Sequence, residues 1–211
     1  MVGLEKDRLE KALGSILSVS EVHQLAKVLA YVSRTGRISY REVERITKRD
    51  PEEILFLAIE WRLLLPVRTS KSIAWEDRVF LTLPGEIYEM PRVVRYLVEN
   101  ASCTGRWNPK YAVTEVFKAM GDPAHEQMFS LVERLEEEAQ DHRVNAVQIK
   151  KVCNELGLDD RVDPLIAELK GSGVMSPKMG SISELAKIST PIYELNPSLK
   201  TKKMDQKRCG K

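Results

Sequence analysis

Metal or nucleophilic chemistry in this chain would have to come from three histidines, His23, His125 and His142, and three widely spaced cysteines, Cys103, Cys153 and Cys209. No HExxH pair and no CxxC clamp occurs, and no Cys or Asp stands at ligand spacing from a histidine. The odd, scattered cysteines make no disulfide framework and read as buried or incidental thiols. "ERLEEEAQD" (133–141) is rich in carboxylates. Consecutive acids point around a helix instead of converging on one substrate atom, so this run reads as a solvated face. Phosphate-loop, dinucleotide and nucleophile-elbow motifs are missing. The expectation is a protein that is not an enzyme and uses no cofactor and no metal.

Cations offer more. Arg41, Arg45 and Lys48 fall at i, i+4 and i+7, opposite Val43 and Ile46 on a short helix, with Arg37, Arg49, Arg68 and Lys71 on adjoining turns and a hairpin. Seven such groups could neutralise several phosphates, although Glu42, Glu44 and Asp50 dilute the field. Trp75 and Trp107 have no second aromatic interleaved with basic residues nearby, so they read as packing anchors and not base-stacking platforms.

The elements that position these residues belong to a chain of 211 residues, 43% hydrophobic and 30% charged, long enough for one large domain or two small ones. No apolar run reaches the ~20 residues of a membrane span, and the charged, helix-periodic N-terminus does not resemble a signal peptide, so a cytoplasmic protein without membrane contact is expected. The net charge of +2 conceals a basic end: "KTKKMDQKRCGK" holds six of the 33 Lys and Arg, leaving 27 against 30 acids elsewhere. That segment, 200–211, reads as a solvated, disordered tail.

"GEIYEMP" (85–91) and "TPIYELNP" (190–197) share Ile-Tyr-Glu and raise the question of an internal repeat. Stronger signals accompany them. "RISYREVERIT" (37–47) sets Ser39 three residues before Glu42, the spacing of a capping box, with Val43 and Ile46 inward. "RVNAVQIKKVC" (143–153) repeats this with Asn145, Gln148, Ile149 and Val152 at an offset of 106 residues. The following helices also match. Asp50 is expected as N-cap and Pro51 as the first residue of one with Ile54, Leu57, Ala58 and Trp61 inward. Val162, Leu165, Ile166 and Leu169 correspond at an offset of 108, with Gly171 or Gly173 ending the second helix. A helix precedes each copy (20–36 and 122–142) and a hairpin follows. The first hairpin is expected to return along "RVFLTL", placing Ile87–Glu89 just beyond it, whereas Ile192–Glu194 reads as a return strand.

This order, three helices and then two strands, resembles the winged helix-turn-helix superfamily over 20–90 and 122–197. The fold class so implied is mostly α with small β-hairpins (α+β), as tandem winged-helix units joined by a helical connector. The divisions are an amphipathic N-terminal helix (1–19), a first unit (20–90), a connector (91–121), a second unit (122–199) and the basic tail (200–211). The opening helix carries Leu9, Ala12, Leu13, Ile16 and Leu17 on one face, which must pack on its own chain or a second one.

The resemblance implies double-stranded DNA as partner, with each third helix in the major groove. Arg37, Arg41, Arg45, Lys48, Arg49, Arg68 and Lys71 are the candidate DNA-binding residues. Two features oppose groove reading. The second unit's third helix has Asp159, Asp160, Asp163 and Glu168 outward against Arg161 and Lys170. The first unit's carries a second apolar stripe, Leu55, Phe56, Ile59 and Leu63, expected to be a packing or partner face covered by the opening helix, the connector or another subunit. The readings are therefore a DNA-associated transcriptional regulator that binds backbone through its first unit, or an assembly module that docks a protein partner or a second copy.

Overall fold

The computed structural model describes residues 2–17, 20–48, 50–67, 74–75, 78, 80–178 and 190–200. Arg49, Arg68, Lys71 and the basic segment 201–211 lie outside them. The architecture is mixed, mostly helical, with two small three-stranded antiparallel sheets among the described residues.

Each sheet belongs to one copy of a repeated unit. In the first, α2 (Val22–Thr35) buries Leu25, Ala26, Val28, Leu29 and Val32 and ends at Gly36, whose left-handed backbone lets its N–H reach the Val32 carbonyl at 2.7 Å. β1 (Arg37–Ser39), α3 (Tyr40–Thr47), α4 (Pro51–Glu60), β2 (Leu65–Pro66) and β3 (Ile87–Glu89) follow. The second runs α7 (Met128–Glu138), β4 (Arg143–Asn145), α8 (Ala146–Glu155), α9 (Val162–Ser172), β5 (Met175–Lys178) and β6 (Ile192–Leu195). Strand orders are β1-β3-β2 and β4-β6-β5. A short strand before the second helix thus joins each expected hairpin.

Both capping boxes form. Ser39 Oγ accepts from the Glu42 N–H and Glu42 accepts from the Ser39 N–H at 2.8 Å, while Asn145 and Gln148 exchange the same two bonds at 2.9 and 2.8 Å. The Ile-Tyr-Glu echo is more exact than the sequence reading allowed. Arg37, Ile38 and Ser39 pair with Glu89, Tyr88 and Ile87, and Arg143, Val144 and Asn145 pair with Glu194, Tyr193 and Ile192 in the same register. Ile87–Glu89 is itself the central return strand, and Phe80–Leu83 is not in a strand. An apolar run has strand character, but pairing partners decide which run enters the sheet.

The third helices align at an offset of 111, not 108. Leu63 N donates to Ala58 O at 2.8 Å and Val174 N to Leu169 O at 3.1 Å, each just after a left-handed residue, Arg62 and Gly173. One helical turn separates the two alignments, and apolar residues spaced three and four apart look alike when slid by a turn. Asp50 is left-handed (φ 47°) and its side chain caps nothing, since capping requires an extended backbone at that position. Glu52 and Glu53 supply negative charge to the first turn instead. The helix expected over 122–142 is shorter. A 3₁₀ turn, His125–Gln127, leads into α7, and left-handed Asp141 and His142 turn the chain into β4.

Between the units, α5 (Arg92–Thr104) and α6 (Pro109–Ala119) pack on each other, and α1 (Val2–Gly14) covers α5 and α2. Leu9, Ala12, Leu13 and Leu17 of the opening segment are buried within the chain itself. Arg8 donates to the Cys103 carbonyl at 2.7 Å in the last turn of α5. One continuous core unites both units with these helices. The units also meet directly: Arg62 binds Glu194 at 2.8 Å, the Trp75 backbone N–H donates to Ser176 Oγ at 2.9 Å, and Asn196 Nδ2 donates to the Arg62 carbonyl at 3.4 Å. Trp107 donates its indole N–H to the Ser198 carbonyl at 2.9 Å, an anchoring role like that of buried Trp75.

Candidate functional site

The three histidines are held by local partners: His23 by Glu10 at 2.7 Å, His125 by the Asp122 carbonyl at 3.0 Å, and His142 by Glu136 at 3.3 Å. Cys153 is buried, which pushes its thiol above the ordinary value, and Cys103 is exposed. Among the described residues no three His, Cys, Asp or Glu side chains cluster as a metal site, and no helix is long and apolar enough to cross a membrane.

The α3 helix sets the basic stripe. Tyr40, Val43 and Thr47 are buried, so Arg41, Arg45 and Lys48 face solvent. Among the described residues none of these three forms an ion pair, whereas Arg37 meets its cross-strand partner Glu89 at 3.5 Å. Glu44 is exposed in the same stripe. Glu42 is occupied locally: the Ser39 N–H, then the Tyr31 and Ser39 hydroxyls, hold its carboxyl below the ordinary value.

The α4 helix divides its expected second stripe. Leu55 and Leu63 are fully buried and Ile59 is half-buried, but Phe56 is 62% exposed, which corrects the expectation that the whole stripe is covered. The buried arc is Ile54, Leu55 and Ala58, with Leu57 and Trp61 only half-buried. The helix is therefore rotated by about 60° from the inner stripe first drawn, at 100° per residue. It packs on α2, α3 and β2 and not chiefly on the opening helix or the connector. The four surface neighbours of Phe56, at three and four residues either side, are Glu52, Glu53, Ile59 and Glu60. Tyr40 Oη donates to Glu52 at 2.9 Å, while Glu53 and Glu60 form no ion pair among the described residues. Apolar periodicity does not single out this acidic ring, whose signal in the sequence is the i−4, i−3 and i+4 spacing of glutamates around Phe56.

The α9 helix occupies the same place in the second unit and packs against α5 and α6. Arg161 binds Asp122 at 3.0 Å and Glu168 at 3.5 Å, so Glu168, expected outward, turns into the connector junction, while Asp159, Asp160 and Asp163 are exposed. Burial and the neighbouring Asp122 carboxyl push Glu168 above the ordinary value. Burial opposes the ionised form of Asp122, but Arg161 and the Ala124 N–H outweigh it and hold this carboxyl low. Gly173, at φ 82°, lies so close to Pro91 that a Cβ there would stand 2.6 Å from the proline Cβ.

No curated protein and no solved structure matches the chain. A model of a family of unknown function matches residues 7–206, nearly the whole length, and the chain belongs to that family.

Proposed function

We propose that the chain is a non-catalytic protein of two winged-helix units that works in protein assembly, docking a partner on its first unit. Support for the fold comes from the repeated order of helix, strand, helix, helix and two strands, with the return strand central in each sheet. The observation that carries the assembly reading is the outward face of α4, where a groove-reading helix would need cations. That face instead presents Phe56 among Glu52, Glu53 and Glu60. Phosphate repels such a face, and α9, acidic and packed on the connector, is no better suited to a groove.

A second reading, binding of DNA backbone through the first unit, is favoured by the exposed Arg41, Arg45 and Lys48, which form no ion pair among the described residues. Titration of a random-sequence duplex across a salt series separates the two, using wild-type protein, the triple alanine variant of these residues, and a chain lacking 201–211. On the assembly reading, binding is weak, with Kd at or above about 10⁻⁶ M at physiological salt, and the triple variant shifts the salt slope by less than about one unit. Tight binding, with a slope reduced by about two to three units in the triple variant, would replace it with the DNA reading.

A further inference from the structure

The α4 surface carries a chemical signature of its own. Phe56 is exposed on an ordered helix of the fold, in contact range of three carboxylates at i−4, i−3 and i+4. Leaving a phenylalanine in water forfeits its burial, and neighbouring carboxylates repel one another unless cations join them. No cation of the described chain pairs with Glu53 or Glu60, and Glu52 receives only the Tyr40 hydroxyl. At the position corresponding to Phe56 the second unit has Ala167, also exposed, so the topology does not demand an aromatic there. We infer that this face is the docking site for an arginine- or lysine-bearing segment of a partner protein. An apolar side chain or the stem of an arginine covers Phe56, and cationic heads meet Glu52, Glu53 and Glu60.

The inference rests on the assembly reading and specifies its partner by charge complementarity. Arginine suits the site best, because its planar guanidinium stacks on an aromatic ring while its N–H groups bind carboxylates. Nucleic acid is excluded as occupant by the same carboxylates. The basic stripe lies on α3, which immediately precedes α4 and packs against it, so the partner should approach α4 from the side away from Arg41, Arg45 and Lys48, or carry acids where it passes them.

The probe is a fluorescein-labelled helical peptide of about twelve residues, in which one leucine is flanked by arginines three and four positions away on both sides. Anisotropy titration of the full chain should give saturable binding. Phe56→Ala should weaken it by about tenfold or more, as should Glu52→Gln, Glu53→Gln and Glu60→Gln combined. These side chains are exposed, so circular dichroism should report unchanged folding. The control is Glu133→Gln with Glu137→Gln on the acidic face of α7, which should change the affinity by less than about twofold. Equal affinity for wild type and both α4 variants, or an equal loss from the α7 variant, would overturn the proposal. Binding that emerges only when 201–211 is deleted would assign the face to the chain's own basic segment and overturn an intermolecular partner. Absence of peptide binding while duplex binding stays weak would also overturn it, leaving the assembly reading with a partner of other chemistry.

Discussion

In the second unit, Arg161 and Glu168 turn toward Asp122, and Gly173 closes against Pro91, so that α9 is fastened to the connector. The first unit has Asp50, Leu57 and Arg62 at those three positions, and the corresponding helix α4 is left with an open outer face. The same topology therefore holds one third helix as an internal strut and presents the other. Arg62 shows how the difference is built: where the second unit uses glycine for a left-handed backbone, the first uses an arginine at φ 52° that reaches across to Glu194. Glu194 is thereby drawn away from its cross-strand neighbour Arg143, which has no ion pair among the described residues, while the equivalent Arg37 keeps Glu89.

The costliest single change is expected beneath α4. Leu55 is fully buried, so Leu55→Ala should cost about 2–5 kcal/mol in denaturant unfolding. Next is Gly173→Ala, which adds both a left-handed alanine and a methyl against Pro91, for about 2–4 kcal/mol. The matching change Arg62→Gly should leave the left-handed turn intact and lose the side-chain ties to Glu194, the Ile59 carbonyl and the Trp75 ring, a smaller cost measured in the same way.

Loss of either capping box should cost about 1 kcal/mol, through Ser39→Ala in the first unit and Asn145→Ala in the second. They should differ in pH dependence. Glu42 is held below its ordinary value of 4.5, so its stabilisation is present above that pH and is lost as pH falls through the lowered native value. Wild type should therefore lose stability relative to Glu42→Gln on acidification below 4.5, seen in thermal midpoints. Gln148 does not titrate, so the second box contributes no such loss. Smallest of all is Phe56→Ala, at less than about 0.5 kcal/mol and independent of protein concentration, as its exposure requires.

Local signals were legible in the sequence, and relations between elements were not. Ser39 with Glu42 and Asn145 with Gln148 act over one turn, so their spacing alone identifies the helix starts. The register of α9 against α4 slipped by a turn because Val162, Leu165, Ile166 and Leu169 satisfy the apolar pattern as well as the true set does. The wing's return was misplaced because pairing of Ile87–Glu89 depends on β1, nearly fifty residues earlier, and not on its own composition. Of the candidate site, the α3 stripe followed from periodicity opposite Val43. Exposure of Phe56 did not, since α2, α3 and β2 decide which arc of an all-round apolar helix they cover.

The proposed assembly role requires that neither third helix read a DNA groove. Backbone amide NMR spectra of the full chain, recorded with and without an excess of random-sequence duplex at low salt, test it residue by residue. Amides of α4 and α9, apart from Pro51 and Pro164, which carry no N–H, are expected not to shift, and any perturbation should stay near Arg41, Arg45 and Lys48 on α3. Shifts centred on Glu52, Phe56 and Glu60 would contradict it, placing the duplex on the face assigned here to a protein partner.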